Sequence, residues 1–207
     1  MIKENERKKY VQFYSTAIGK KILKHETRFV DEKLRGCKKV LSIGCGPALL
    51  ETNLHRLHPE MNIIGLDNSK EQIEQAPKKV SIVYGDAQYL EFEDNRFDAV
   101  LYVTSLEFIQ SIQKAIKEAY RVLTLKGLLL VLMLNPHSWY FQEKYNNTTS
   151  YIRKNIKHTN IGNIKKVISQ YFTMTNEEFF LGIIDQDIVD THDQSIARLY
   201  VFEGVKL

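Results

Sequence analysis

An α/β fold is what this sequence predicts: a doubly wound, mostly parallel sheet of seven strands, the last two forming an antiparallel C-terminal hairpin. Three observations lead there. Short apolar runs alternate with helical patterns as far as Leu134, the order that builds a parallel sheet with helices on both faces. The first run ends at once in two glycines, Val40-Leu-Ser-Ile-Gly-Cys-Gly-Pro-Ala48, as where a strand turns sharply into a helix. Two long strand-like stretches then close the chain with no helical pattern between them.

Residues 10–35 have helical spacing and are expected as two pieces meeting near Gly19. A buried strand is expected over 39–44, a helix over 48–57 and a second strand over 62–67. Ser69 followed three residues later by Gln72 forms a capping box, so a helix should start at Lys70. Further strands are expected over 80–84 and 97–103. The helix over 110–123 carries Ile112, Ala115, Ile116, Ala119 and Val122 on one stripe. The run Leu128 to Leu134 is apolar throughout, as a strand covered on both faces should be. Residues 135–160 are polar and aromatic without periodicity. A helix over 161–171 and strands over 172–183 and 195–202 complete the count. The whole of 1–207 reads as a single domain, with cap helices over 1–36, a cofactor-binding core over 37–134, a substrate-side loop and helix over 135–171 and the hairpin over 172–207.

Bulk properties narrow the class. A hydrophobic fraction of 43% and a charged fraction of 26% suit an ordinary globular protein. Two cysteines, Cys37 and Cys45, offer neither a disulfide framework nor metal-finger spacing, so a reducing cytoplasm and no metal are expected. The N-terminal residues lack a signal-peptide h-region. The longest apolar run, seven residues, is far short of the roughly 20 that span a bilayer, so no membrane partner is expected. The net charge of +4 is uneven: residues 1–39 hold 12 Lys and Arg against 5 acids, and residues 143–166 hold 6 against 1. Such clusters can contact nucleic acid, but no sequence-specific nucleic-acid motif accompanies them, and solvated helix faces explain them as well.

The site begins at the glycines. Asp67 closes the second strand 21 residues after Gly46, where a carboxylate typically accepts from both hydroxyls of a ribose. The pair reads as a nucleoside-cofactor site. A dinucleotide fingerprint would need a third glycine where Leu49 stands, and Pro47 removes an N–H that could have met a phosphate. No Gly-Lys-Ser/Thr follows, which excludes a Walker-type loop.

With these residues the chain resembles the class I S-adenosylmethionine-dependent methyltransferases, and more narrowly their type-11-like, small-molecule group. Val40 to Ala48 looks like the family's first motif, and Gly65-Leu-Asp-Asn-Ser69 like the acidic end of its second strand. Gly85-Asp86-Ala87 is similar to the loop that meets adenine. Phe97 to Val103 resembles the fourth-strand motif, and Arg121 to Gly127 the turn before the fifth. Phe13 to Gly19 with Glu26, and Asn135-Pro-His-Ser-Trp-Tyr140, extend the likeness beyond the core. The resemblance implies a Rossmann-like methyltransferase fold, S-adenosylmethionine as cofactor and a small-molecule acceptor. It places Gly44, Cys45, Gly46 and Ser42 at the methionine half, Asp67 with Asn68 at the ribose, and Asp86 with Ala87 at the adenine. Val103 and Thr104 would lie under the methionine end, with Tyr14 closing over it.

Two positions depart from the family's pattern. Ser42 stands where an Asp or Glu is usual, and Gly46-Pro47-Ala48 replaces Gly-Thr-Gly. They motivate an alternative, a cofactor-binding module without turnover; the basic clusters motivate another, a methyltransferase acting on RNA or protein. Acceptor contacts are expected from Tyr10, Glu107, His137, Trp139 and Tyr140. Glu107, Tyr14 and His137 are the candidates for a proton-handling role, which is needed only if the acceptor atom must lose a proton.

Overall fold

Strands β1 (Lys39–Ile43) and β4 (Phe97–Val103) pair in parallel at the middle of the sheet, with Val40 opposite Ala99 and Ile43 opposite Tyr102. In a computed structural model, which describes residues 12–184 and 187–207, β2 (Asn62–Asp67) and then β3 (Ser81–Tyr84) extend the sheet to one side. On the other side come β5 (Leu123–Leu134), β8 (Ala197–Val205), β6 (Thr173–Ile184) and β7 (Asp187–Val189). The order is β3-β2-β1-β4-β5-β8-β6-β7, parallel as far as β5 and antiparallel beyond.

Alternation along each central strand divides its side chains between two cores. Leu41, Ile43, Val100 and Tyr102 pack with the apolar stripe of α4 (Ile112–Val122) and with Ile164 and Ile168 of α7 (Ile161–Ile168). Val40, Ala99 and Leu101 pack on the opposite face with Val30 and Leu34 from the α1 region (α1, Ala17–Lys33) and Leu50 and Leu54 of α2 (Leu49–Leu57). Each Leu or Ile fully buried this way contributes about 1.5–3 kcal/mol relative to exposure, so both faces must stay covered. Ser69 caps the short α3 (Lys70–Ile73) by accepting from the Gln72 N–H, but its own N–H donates to Asp67 rather than to the Gln72 side chain, so only half of the expected capping box forms.

The sequence expectations shift in several places. The break in the leader helix falls at Thr16, whose side chain accepts from the Gly19 N–H; a Cβ at Gly19 would lie 2.1 Å from the Phe13 carbonyl oxygen, so the glycine permits the close approach rather than making the break. Among the described residues the sheet has eight strands, not seven, because β7 pairs with the end of β6 through only three residues, too few for a periodic signal. The last strand is not at the edge: β8 inserts between β5 and β6. Residues 135–160 are not loop alone. They hold α5 (Trp139–Asn146) and α6 (Tyr151–Asn155), capped by Ser138 and Ser150. Among the described residues no helix is long and apolar enough to cross a membrane.

Candidate active site

The site is built around the turn after β1. Gly44 has φ +73°, and its N–H donates to the Leu66 carbonyl at 2.7 Å. A Cβ there would lie 2.4 Å from Cβ of Ser105, whose hydroxyl donates to the Ile43 carbonyl. The turn is thus wedged between β2 and the loop after β4. Gly46 has φ +56° and open space where a Cβ would stand; its N–H donates to Oδ2 of Asp67 at 2.8 Å. Oδ1 of Asp67 accepts from the Ser69 N–H at 2.8 Å. A carboxylate offers about four acceptor sites in all, and a ribose contact would use two of them. Ala48 also lies in the left-handed region, at φ 52°, a conformation that glycine adopts without strain.

Asp86 is held by Gln88, whose backbone N–H and side-chain amide both donate to it. Oε1 of Gln88 accepts from the Ser111 N–H at the start of α4. The same helix anchors the segment that follows: Glu118 accepts from the Leu90 N–H, and Arg121 donates to the Leu90 and Phe92 carbonyls.

These elements border a cleft of about 860 Å³ at the C-terminal ends of the parallel strands, where open α/β sheets bind ligands. Tyr14, Gly44, Gly46, Asp67, Asn68, Asp86, Ala87, Val103 and Thr104 all line it. Ser42 and Cys45 lie beneath the turn instead, beside a small cavity bordered also by Glu26, Glu51 and Tyr14. The Ser42 hydroxyl donates to Oε1 of Glu51, so a carboxylate from α2 stands next to the serine. Burial pushes the Glu51 carboxyl up to about 7. Burial, reinforced by the nearby Glu51 and Asp67 charges, also raises the Cys45 thiol, which disfavours a reactive thiolate.

The expected acceptor contacts separate. Tyr140 lines the cleft. Glu107 does not: it is fully buried, Oε1 accepts from the Leu134 N–H at 2.9 Å, and its carbonyl accepts from the Lys157 and His158 N–H groups. It ties the 3₁₀ turn Leu106–Phe108 to the end of β5, and burial lifts its carboxyl to about 7. His137 and Trp139 also lie off the cleft wall. Asn135 and Ser138 staple their segment, with Asn135 donating to the Gln194 and Ala197 carbonyls and accepting from the His137 N–H. The roughly 100° advance per helical residue then turns Trp139 to solvent, Tyr140 to the cleft and Phe141 into the core. Tyr10 lies outside the described residues.

Sequence reading missed Glu51 and Arg198, and named Glu26 only as part of the leader motif, with no role at the site. Ile22, Glu26 and Val30 recur four residues apart on the buried stripe of α1, so Glu26 is a charge on an apolar face. Its carboxyl is raised by burial, which outweighs Arg198 and a hydrogen bond with Tyr14. Arg198 interrupts an otherwise apolar stretch of β8 and is buried against the cleft. Among the described residues no group of three or more His, Cys, Asp and Glu side chains is placed to hold a metal ion.

A parallel sheet with a glycine turn after β1 and carboxylates at the end of β2 and just after β3 is the layout of a nucleoside-binding α/β fold. Residues 41–131 match the model of the methyltransferase domain family. A Legionella pneumophila malonyl-[acyl-carrier protein] O-methyltransferase is 25% identical over 78% of this chain and 57% of that protein. An uncharacterized Methanocaldococcus jannaschii protein is 31% identical over 80% of this chain and 74% of its own. A solved S-adenosylmethionine-dependent methyltransferase from Thermotoga maritima superposes with a TM-score of 0.81 at 22% identity, covering 100% of this chain and 99% of that one. The core of the chain, residues 41–131, is thus a methyltransferase domain, of the kind that takes S-adenosylmethionine. The chain spans about half the length of several of the curated relatives it matches. The family's cofactor fits the residues present: the space at Gly46 is open, and Asp67 and Asp86 face the cleft.

Proposed function

We propose that this chain transfers the methyl group of S-adenosylmethionine to a small-molecule acceptor. The observation that carries the reading is the continuity of the cleft. It runs from Asp86 and Asp67, past Gly44 and Gly46, to Val103 and Thr104, and on to a second wall of Phe108, Tyr140 and Arg198. Its volume of about 860 Å³ is near the top of the usual ligand-site range, which suits two ligands side by side.

In this reading Asp67 accepts from the ribose hydroxyls, Asp86 and Ala87 meet the adenine, and Gly44 and Gly46 let the methionine half lie against bare main chain. Glu51, acting through Ser42, supplies beneath the turn the carboxylate that the family usually carries on β1. When bound, S-adenosylmethionine supplies a methyl already activated on a sulfonium. What the chain must add is alignment and exclusion of water, which can contribute on the order of 7–11 kcal/mol. Tyr14, only 8% exposed, closes the methionine end. The placements of Glu107, His137 and Trp139 argue against acceptor roles for them, leaving Tyr140 as the expected contact among the described residues. The malonyl group in the name of the Legionella relative is a small acceptor group, carried there on a protein.

Calorimetry with S-adenosylhomocysteine, followed by measurement of its formation from S-adenosylmethionine across a panel of small acceptors, tests the reading. Binding with turnover on at least one small acceptor is expected. Binding without turnover on any of them would favour the non-catalytic alternative, and failure to bind would remove the assignment.

A further inference from the structure

Charge is segregated along the cleft. The lining carboxylates, Asp67 and Asp86, belong to the β2 and β3 side of the sheet and are engaged by backbone and Gln88 donors. On the β8 side the lining charges are cationic: Lys144, Lys157 and Arg198. Two of them share one ring. The Arg198 guanidinium lies 4.8 Å from the Tyr140 centroid and the Lys144 ammonium 5.7 Å from it. Arg198 is only 7% exposed, and its guanidinium lies 5.7 Å from the Phe13 centroid as well.

Among the described residues, two acids face this group. Glu26 is buried near Arg198, with its carboxyl raised toward the neutral form, and Glu143 meets Lys144 at 2.8 Å from an exposed position. Both lie off the cleft wall. Like charges drawn around one partly desolvated ring repel, and an anion seated between them is attracted by both. The planar guanidinium, oriented by aromatic neighbours, matches the two oxygens of a carboxylate.

We propose that the methyl acceptor carries a carboxylate, seated against Arg198 and Lys144 beside the Tyr140 ring. This rests on the methyltransferase reading and adds to it the chemical class of the acceptor. The same chemistry could come from the carboxylate of the cofactor's methionine, so the test separates the two sources.

The full chain, saturated with S-adenosylhomocysteine, is screened by saturation-transfer NMR against aliphatic and aromatic carboxylic acids and their primary amides. At least one acid should bind about ten-fold more tightly than its amide, as expected for a charge-assisted pair. Arg198→Met should abolish that preference while leaving S-adenosylhomocysteine affinity within about two-fold of wild type. Lys144→Met changes a side chain that is 38% exposed, so it keeps the question answerable if Arg198→Met does not fold; it should reduce acid affinity by about three-fold. Equal binding of acids and amides, or a preference that survives in both variants, overturns the proposal. So does a ten-fold loss of S-adenosylhomocysteine affinity in Arg198→Met, since the cofactor would then be the anion's source. Failure of S-adenosylhomocysteine to bind the wild-type chain removes the underlying reading as well, whereas cofactor binding without acid preference removes this inference alone.

Discussion

The two walls of the cleft are made of different material. On the β2 side the contacts run from main-chain N–H groups to one carboxylate and are close in sequence: Gly46 and Asp67 are 21 residues apart, and Asp67 and Ser69 two. On the β8 side they are side chains from distant segments, with Phe13 and Tyr140 both against Arg198. A main-chain wall depends on backbone angles that few residues tolerate, so it leaves glycines at readable spacing. A side-chain wall makes no such demand and leaves only isolated charges in apolar surroundings.

Gly44→Ala should give the largest effect. Its φ of +73° costs a residue with a Cβ about 1–2 kcal/mol, and the new Cβ would lie 2.4 Å from that of Ser105. Melting should fall by about 5 °C or more, with cofactor binding lost; a variant melting within about a degree of wild type would break the claim that this wall depends on the backbone. Gly46→Ala sharpens the contrast, because its Cβ meets nothing. The fold should survive with a smaller loss of stability while calorimetric affinity for S-adenosylhomocysteine drops.

Asp67→Ala should weaken cofactor binding by about ten-fold or more, since charge-assisted hydrogen bonds contribute about 1.5–3 kcal/mol. Unchanged affinity in a folded variant contradicts the ribose role.

Glu51 links stability to pH. Burial raises its carboxyl from 4.5 to about 7, so the folded state binds the proton more tightly than the unfolded chain. The contribution of this group therefore declines as pH rises from about 4.5 to about 7 and is level above. Glu51→Gln should gain on wild type by on the order of 3 kcal/mol across that window. Denaturant titrations of both proteins at several pH values measure it, and a difference that stays constant with pH refutes the buried-carboxyl assignment.

The smallest effect belongs to Trp139→Ala. The side chain is 50% exposed and off the cleft, so cofactor affinity and turnover should stay within about two-fold of wild type. A large loss would return Trp139 to the acceptor wall.

Much of the fold was legible because local chemistry and global burial agree. β2 and β4 fall on the bounds expected from their apolar runs, and α3 begins at the residue that the Ser69 cap dictates. Boundaries slipped where tertiary contacts override pattern. β5 starts at Leu123 rather than Leu128, because Phe97 pairs with Leu123 across a register shift. Glu107 reads from the sequence as an acceptor contact; only the folded chain shows the Leu134 N–H that draws it inside.

Alternating apolar runs, a glycine pair and an acid at the end of the second strand were enough to define the parallel sheet and its cofactor wall, because these features are properties of short backbone segments. The place of β8 between β5 and β6, the serine-to-Glu51 contact under the turn, and the gathering of Arg198, Lys144 and Tyr140 were decided by long-range packing. Side chains that meet only after residues far apart have been brought together leave no spacing to read.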